Sequence, residues 1–249
     1  MDKVFSILNK DSDCPLILTC EHASAAIPEE YHHLGLPQAE LDRHIARDKG
    51  AKEVTEILAR RLGCFAVLGG YSRLLIDLNR RVGEDELIAE ISDKTVIPAN
   101  CDLSETERQK RIDTYYKPYY EAVEAQTKHL LSKGITPLVF SVHSYTPQLK
   151  GGTYRPWQAG ILYHEPTKLA AYLYDGLAAA GDKKIGENVP YDLRRYNTGA
   201  VVVCGAEKGF DYALIEIRDD EFDNLEEGAS DWGERLGRLL EKYISVSKL

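Results

Sequence analysis

The sequence predicts an α/β fold: a mixed, largely parallel central sheet with helices on both faces. Three observations carry that prediction. Short apolar runs alternate with helix-like stretches along the whole chain. Across the 249 residues, hydrophobic types make up 43% and charged types 29%, enough apolar material for a substantial core. No internal repeat, low-complexity tract or linker marks a boundary, so residues 1–249 read as a single domain.

The elements follow in order. "PLILTC" (15–20) reads as a strand leading into a loop with Pro28. From Gln38 to Leu62, apolar residues at Leu41, Ile45, Val54, Ile57 and Leu58 have amphipathic helical spacing, weakened near the middle by Gly50. "CFAVLGG" and "SRLLIDL" read as strands. The stretch 104–134 opens on a capping box, Ser104 with Glu107, and stops at Gly134 after Lys133. Pro118 is expected to kink or divide that helix, and "YYKPYY" to supply its packing face. "TPLVFSV", "QAGILYH", "GAVVVCG" and "YALIEIR" are further expected strands. Helices are expected at 165–181 and from Ser230 to Ile244, and "GGTYRP" (151–156) is the expected mobile loop.

The net charge of −9 leaves no basic footprint for nucleic acid or for an anionic membrane surface. It does not exclude an anionic small substrate, which a single local arginine can hold. No run of eighteen apolar residues suggests a membrane span, and the N-terminus lacks the pattern of a secretory signal. Five scattered cysteines without a C-x-x-C pair suit a reducing, cytoplasmic setting. The sequence carries no signal of oligomeric state.

Ligands of open α/β sheets sit beyond the carboxyl ends of the strands. "PLILTC" leads into Glu21 and His22, and "SRLLIDL" into Asn79 and Arg80. "PLVFSV" leads into His143, Ser144 and Tyr145, and "ALI" into Glu216 and Arg218. Singly, each has a plain structural reading: a hydrogen-bonded histidine, a capped turn, a buried ion pair. Together they fit metal-assisted hydrolysis. A catalytic zinc keeps three protein ligands and one open position, and lowers the pKa of its water. His22 and His143 are candidate ligands, Glu216 the candidate base, and Arg80 the clamp for a substrate carboxylate.

"IDLNR", "FSVHSYTP" and "ALIEIRDD" resemble, in that order along the chain, segments of the zinc carboxypeptidases. More closely, "CEHASAAIP", "HIARDKGA", "YSRLLIDLNR", "HSYTP", "RPWQAGILY", "ENVPY" and "IEIRDD" resemble the N-formylglutamate amidohydrolase family, from about Pro15 to Trp232. The resemblance implies a phosphorylase/hydrolase-like, zinc-carboxypeptidase-like sandwich with one Zn2+ per chain. It also implies cleavage of N-formyl-L-glutamate to formate and L-glutamate, as in histidine degradation. The same residues would serve a deacylase of another N-acyl amino acid, a small carboxypeptidase, or a non-catalytic protein that binds a small acidic ligand.

The carboxypeptidases place a glutamate three residues after the first histidine, where this chain has Ala25. The third ligand is then expected from Asp48, four residues after His44 and on the same helical face, with Glu21, His44 and Glu29 as alternatives. Arg73 and Arg155 are candidates for a second substrate carboxylate, and Arg194 and Asn197 are similar candidates. Tyr145 is a candidate oxyanion donor. Cys20, two residues before His22, is the only candidate nucleophile of another mechanism.

Overall fold

The computed structural model of the protein describes residues 4–195 and 199–247, so Asn197 lies outside the described residues. Its strands are β1 (Phe5–Leu8), β2 (Leu16–Cys20), β3 (Phe65–Gly69), β4 (Ile91–Ser92), β5 (Thr95–Val96), β6 (Leu138–Tyr145), β7 (Ala159–Leu162), β8 (Ile185–Glu187) and β9 (Asp211–Arg218). Its α-helices are α1 (Gln38–Leu41), α2 (Ala51–Leu62), α3 (Glu105–Arg111), α4 (Lys117–Ser132), α5 (Lys168–Ala179) and α6 (Leu225–Ser247). Seven strands form one sheet in the order β1-β3-β2-β6-β9-β7-β8, and β4 and β5 make a separate hairpin. The pairs β3/β2, β2/β6, β6/β9 and β7/β8 are parallel, while β1/β3 and β9/β7 are antiparallel. This is the mixed, largely parallel sheet expected.

Alternate residues of the central strands supply two cores. Leu138, Phe140 and Val142 of β6, with Ala213, Ile215 and Ile217 of β9, pack under α2, α5 and α6 through Leu58, Leu173, Trp232 and Leu236. On the opposite face Ile17, Phe65 and Val67 meet Tyr119, Val123 and Leu130 of α4. Val139, Leu162, Tyr212 and Leu214 are covered there by Leu193, Val201 and Val202. Each fully buried large apolar side chain contributes about 2 kcal/mol. The result is a three-layer sandwich. No helix among the described residues is long and apolar enough to cross a membrane.

Three local expectations need correction. The helix expected over 38–62 is broken: only α1 and α2 are helical, and Gly50 between them adopts φ 81°. A Cβ at Gly50 would stand 2.3 Å from the Phe222 ring, so this left-handed turn is open to glycine alone. "SRLLIDL" forms turns instead of a strand. Its carbonyls are met by side chains: Asn100 Nδ2 donates to Leu74 O, and the buried Arg111 donates to Leu75 O. "GAVVVCG" is helical over Val201–Gly205, because a short apolar run that must cover a sheet face is served equally well by a buried helical turn. Pro118 acts as expected: the helix divides just before it, where a wider π-helical turn at Ile112–Tyr116 separates α3 from α4, and the proline falls in the first turn of α4.

Candidate active site

The register of three strands builds the centre. His143 of β6 pairs with Glu216 of β9, which pairs in turn with Gly160 of β7. Neighbouring partners in a sheet project to one side, so ligand and base candidates share a face. Gly160 leaves room for the chain at 189, since a Cβ there would lie 1.7 Å from Val189 O. His22 follows β2 directly. The Asp48 N–H donates to His22 O at 3.0 Å, which pins the broken segment before α2 against that strand end.

Asp48 is the hub. Its Oδ2 lies 2.8 Å from His143 Nδ1 and 3.3 Å from His22 Nδ1, and it accepts from the Ser144 N–H at 3.2 Å. The two imidazole rings stand edge to face, 4.9 Å between centroids. Each ring's other nitrogen meets a further carboxylate. His22 Nε2 lies 2.7 Å from Asp77 Oδ1. His143 Nε2 lies 2.8 Å from Glu21 Oε2, close enough for an ion pair but off the line of a hydrogen bond. Those outer carboxylates are themselves held. Asp77 Oδ1 accepts from the Asn79 N–H at 2.8 Å, and its Oδ2 accepts from Arg73 Nε and Nη2 at 3.1 and 2.7 Å. Glu21 accepts from Ser141 Oγ at 2.8 Å and from the Tyr119 hydroxyl at 3.2 Å.

Electrostatics follow from that packing. Burial alone would push the Asp48 and Asp77 carboxyls up. The adjacent His22 and His143 outweigh it for Asp48, and Arg73 and His22 for Asp77, so both lie below the usual range. Burial would lower the His143 imidazole, but its Asp48 and Glu21 partners raise it well above the ordinary value. Among the described residues Glu216 has no such partners. Burial pushes its carboxyl up to about 7, against His143 and with Asp48. A carboxyl poised there suits proton transfer near neutrality.

One ligand atom from each of His22, Asp48 and His143 lies within 4.8 Å of the others. Two imidazoles and a carboxylate are a zinc-type donor set. A carboxylate behind each imidazole is the arrangement that fixes the ligating tautomer. The residues fit a zinc ion.

A cleft of about 290 Å³ opens on this centre, lined by His22, Asp48, Arg73, Asn79, Arg80, Glu86, His143, Ser144, Leu162, Tyr191, Leu193, Leu214 and Glu216. Of the expected site residues, His22, Asp48, His143, Glu216, Asn79, Arg80 and Arg73 thus come together, although Arg73 is turned onto Asp77. Others do not. The Tyr145 hydroxyl donates to Trp157 O, away from the cleft. Arg155 lies over the Tyr145 and Tyr191 rings at 4.9 and 5.5 Å and donates to the Tyr191 hydroxyl and to Thr146 O. Arg194 pairs with Asp192, and Glu29 is exposed. His44 does not share a helical face with Asp48, because the helix is broken there; its Nε2 lies 3.5 Å from Asp93. Glu21 stands behind His143, not beside the Asp48 oxygen. Cys20 packs in the apolar core on the opposite face of the sheet, where burial raises its thiol well above the usual value, so it is no nucleophile.

Asp77, Ser144 and Tyr191 were missed by sequence reasoning as members of the site. The signal for Asp77 was inside "IDLNR" itself, two residues before the asparagine. The family model for N-formylglutamate amidohydrolase matches residues 14–222. The crystal structure of the gene product Atu2144 from Agrobacterium tumefaciens is 31% identical, with a TM-score of 0.91, and the match covers 98% of this chain and 96% of that one. An N-formylglutamate amidohydrolase from Ralstonia eutropha JMP134 is 17% identical, with a TM-score of 0.76 and 97% of each chain covered; at that identity the likeness speaks for the fold. A comparison with curated proteins returns no match.

Proposed function

The chain belongs to the N-formylglutamate amidohydrolase family, and on that premise we propose that it is a zinc-dependent hydrolase of the amide bond in small N-acyl amino acids. The observation that carries this reading is the convergence of two histidines on one Asp48 oxygen, with Glu216 in register beside His143. This chain has Ala25 where the carboxypeptidase pattern has an acid; the Asp48 carboxylate between the two histidines supports its standing in that place, which weakens the case for a purely binding protein.

His22, Asp48 and His143 would hold the ion, one per chain. When bound it supplies a Lewis acid for the scissile carbonyl and acidifies a water molecule. The remaining work falls to the protein. Arg80, whose guanidinium donates to Asn79 O at 3.1 Å, is the cation left for the substrate's α-carboxylate. Glu216 takes the proton of the attacking water and returns it to the amide nitrogen as the C–N bond breaks. Asp77 and Glu21 keep the two imidazoles in place. For N-formyl-L-glutamate, the reference substrate of the family, the products are formate and L-glutamate.

The test is elemental analysis of the purified protein, wild type and His143→Ala, together with formate release from N-formyl amino acids. About one zinc per chain, lost in the variant along with formate release, is the expected result. Wild-type protein that takes up no zinc on reconstitution would sink the proposal.

A further inference from the structure

The loop that leaves β6 folds back towards the site. The Arg155 N–H donates to Pro147 O at 2.8 Å, and Arg155 O accepts from Arg218 Nη1 at 3.3 Å, so the backbone of Arg155 is held on both sides. Its guanidinium lies over the Tyr145 ring, 4.9 Å from the centroid. Tyr145 follows His143 by two residues on β6 and pairs with Arg218, two residues past Glu216 on β9. Tyr145 therefore shares the face of His143 and stands about 7 Å further along the strand. It carries the guanidinium just beyond the row of His143 and Glu216.

Among the described residues every contact of that guanidinium is neutral. Nη1 donates to the Tyr191 hydroxyl at 3.0 Å, Nη2 donates to Thr146 O, and the buried Nε has no hydrogen-bond partner. The other arginines nearby are matched by carboxylates: Arg73 by Asp77 and Arg218 by Asp220, each at 2.7 Å. A half-buried cation without a counter-charge is costly, and stacking on tyrosine rings offsets only part of that cost. An anion brought alongside restores the balance.

Tyr191 joins this cation to the cleft. Its side chain lines the cleft, whereas Arg155 lies behind it. Burial raises the Tyr191 hydroxyl; Glu216 adds to the effect, and Arg155 and Arg73 oppose it, so the ring stands in the field of all three. The hydroxyl accepts from Arg155 and keeps its own proton to donate. A carboxylate that takes that proton lies beside a guanidinium nitrogen only 3.0 Å from the same oxygen.

We infer that Arg155, together with the Tyr191 hydroxyl, is the specificity-determining contact for a second, side-chain carboxylate, so that the enzyme prefers acidic N-acyl amino acids to their neutral isosteres. The inference rests on the hydrolase reading above and deepens it: Arg80 takes the α-carboxylate, and Arg155 tells a glutamate side chain from a glutamine one.

The experiment measures kcat/KM of the zinc-loaded enzyme for N-formyl-L-glutamate and for its neutral isostere N-formyl-L-glutamine, in wild type, Arg155→Met, Arg155→Lys and Tyr191→Phe. Calorimetric binding of both compounds to zinc-loaded Glu216→Gln, with and without Arg155→Met, runs alongside. Wild type should favour the glutamate compound by roughly 10- to 100-fold, the scale of one charge-assisted pair. Arg155→Met should bring that ratio close to unity, Arg155→Lys should keep part of it, and Tyr191→Phe should lower it by less than Arg155→Met does. A wild type without the preference, or an Arg155→Met enzyme that keeps it, overturns the assignment and leaves hydrolysis intact. No turnover of either compound, with tighter binding of the glutamate compound that Arg155→Met abolishes, upholds the contact and defeats the hydrolase reading. Neither turnover nor a difference in binding defeats both. Should Arg155→Met fail to fold, the other two variants decide: wild-type ratios in both Arg155→Lys and Tyr191→Phe overturn the assignment.

Discussion

His143 and Glu216 stand side by side in the parallel register of β6 and β9, yet their environments differ sharply. His143 is clasped by carboxylates at both ring nitrogens, which raise it; Glu216 is buried with no ion-pair partner among the described residues, and burial raises it to about 7. One residue is thereby built to hold its position, the other to exchange a proton.

That division of labour can be tested at Glu216. Glu216→Gln keeps the shape and removes the base, so kcat should fall roughly 100- to 10,000-fold. Zinc content should stay at the wild-type level, because Glu216 is not among the three converging ligand atoms. Retained turnover would remove it from the role of base.

Asp77 should act on the metal without touching it. It accepts from His22 Nε2 and is tied down by Arg73. Asp77→Asn should weaken zinc affinity about 10- to 100-fold in chelator competition. Arg73→Ala, which leaves the carboxylate but frees it to move, should shift affinity in the same direction by less. Unchanged affinity in both variants would show that His22 needs no carboxylate behind it.

How much of this was legible in the sequence depended on whether a residue's position was set locally. His22, His143 and Glu216 stand at or next to the ends of short apolar runs that do form β2, β6 and β9, so strand-end reasoning reached them. Asp48 was reached through a false intermediate, a helix shared with His44. Its real placement depends on the left-handed Gly50 lying against Phe222, a contact between residues 172 positions apart. "SRLLIDL" has strand-like composition, but its backbone is satisfied by Asn100 and Arg111, which arrive from a later segment. The place of Glu21 behind His143 was hidden for the same reason. Nothing adjacent to Glu21 in the chain announces that it will stand behind His143.

Arg80 is tested through its substrate. Arg80→Ala should raise KM roughly 10- to 100-fold for N-acyl amino acids with a free α-carboxylate, the scale of a lost charge-assisted hydrogen-bonding pair. The corresponding α-amides should lose much less, because they present no carboxylate to grip. Equal losses on acid and amide would take the clamp away from Arg80.

Asp219, just past β9, lets stability be separated from catalysis. Burial pushes its carboxyl up to about 6; Lys49 opposes this, while Asp220 and Asp223 add to it. A carboxyl whose pKa is higher folded than unfolded binds protons more strongly in the native state. Its ionisation therefore costs stability, and the cost grows as pH rises from about 4, the unfolded value, to about 6, the folded one. Below that window the group is neutral in both states and contributes nothing; above it the full cost is present. Asp219→Asn removes the charge at every pH. In urea unfolding at pH 7 the variant should be more stable than wild type by about 1 kcal/mol, a figure discounted for the partial exposure of the side chain. The difference should shrink to near zero at pH 4. A variant that is less stable at pH 7 would mean that the Asp219 carboxylate is held by favourable contacts that outweigh its burial.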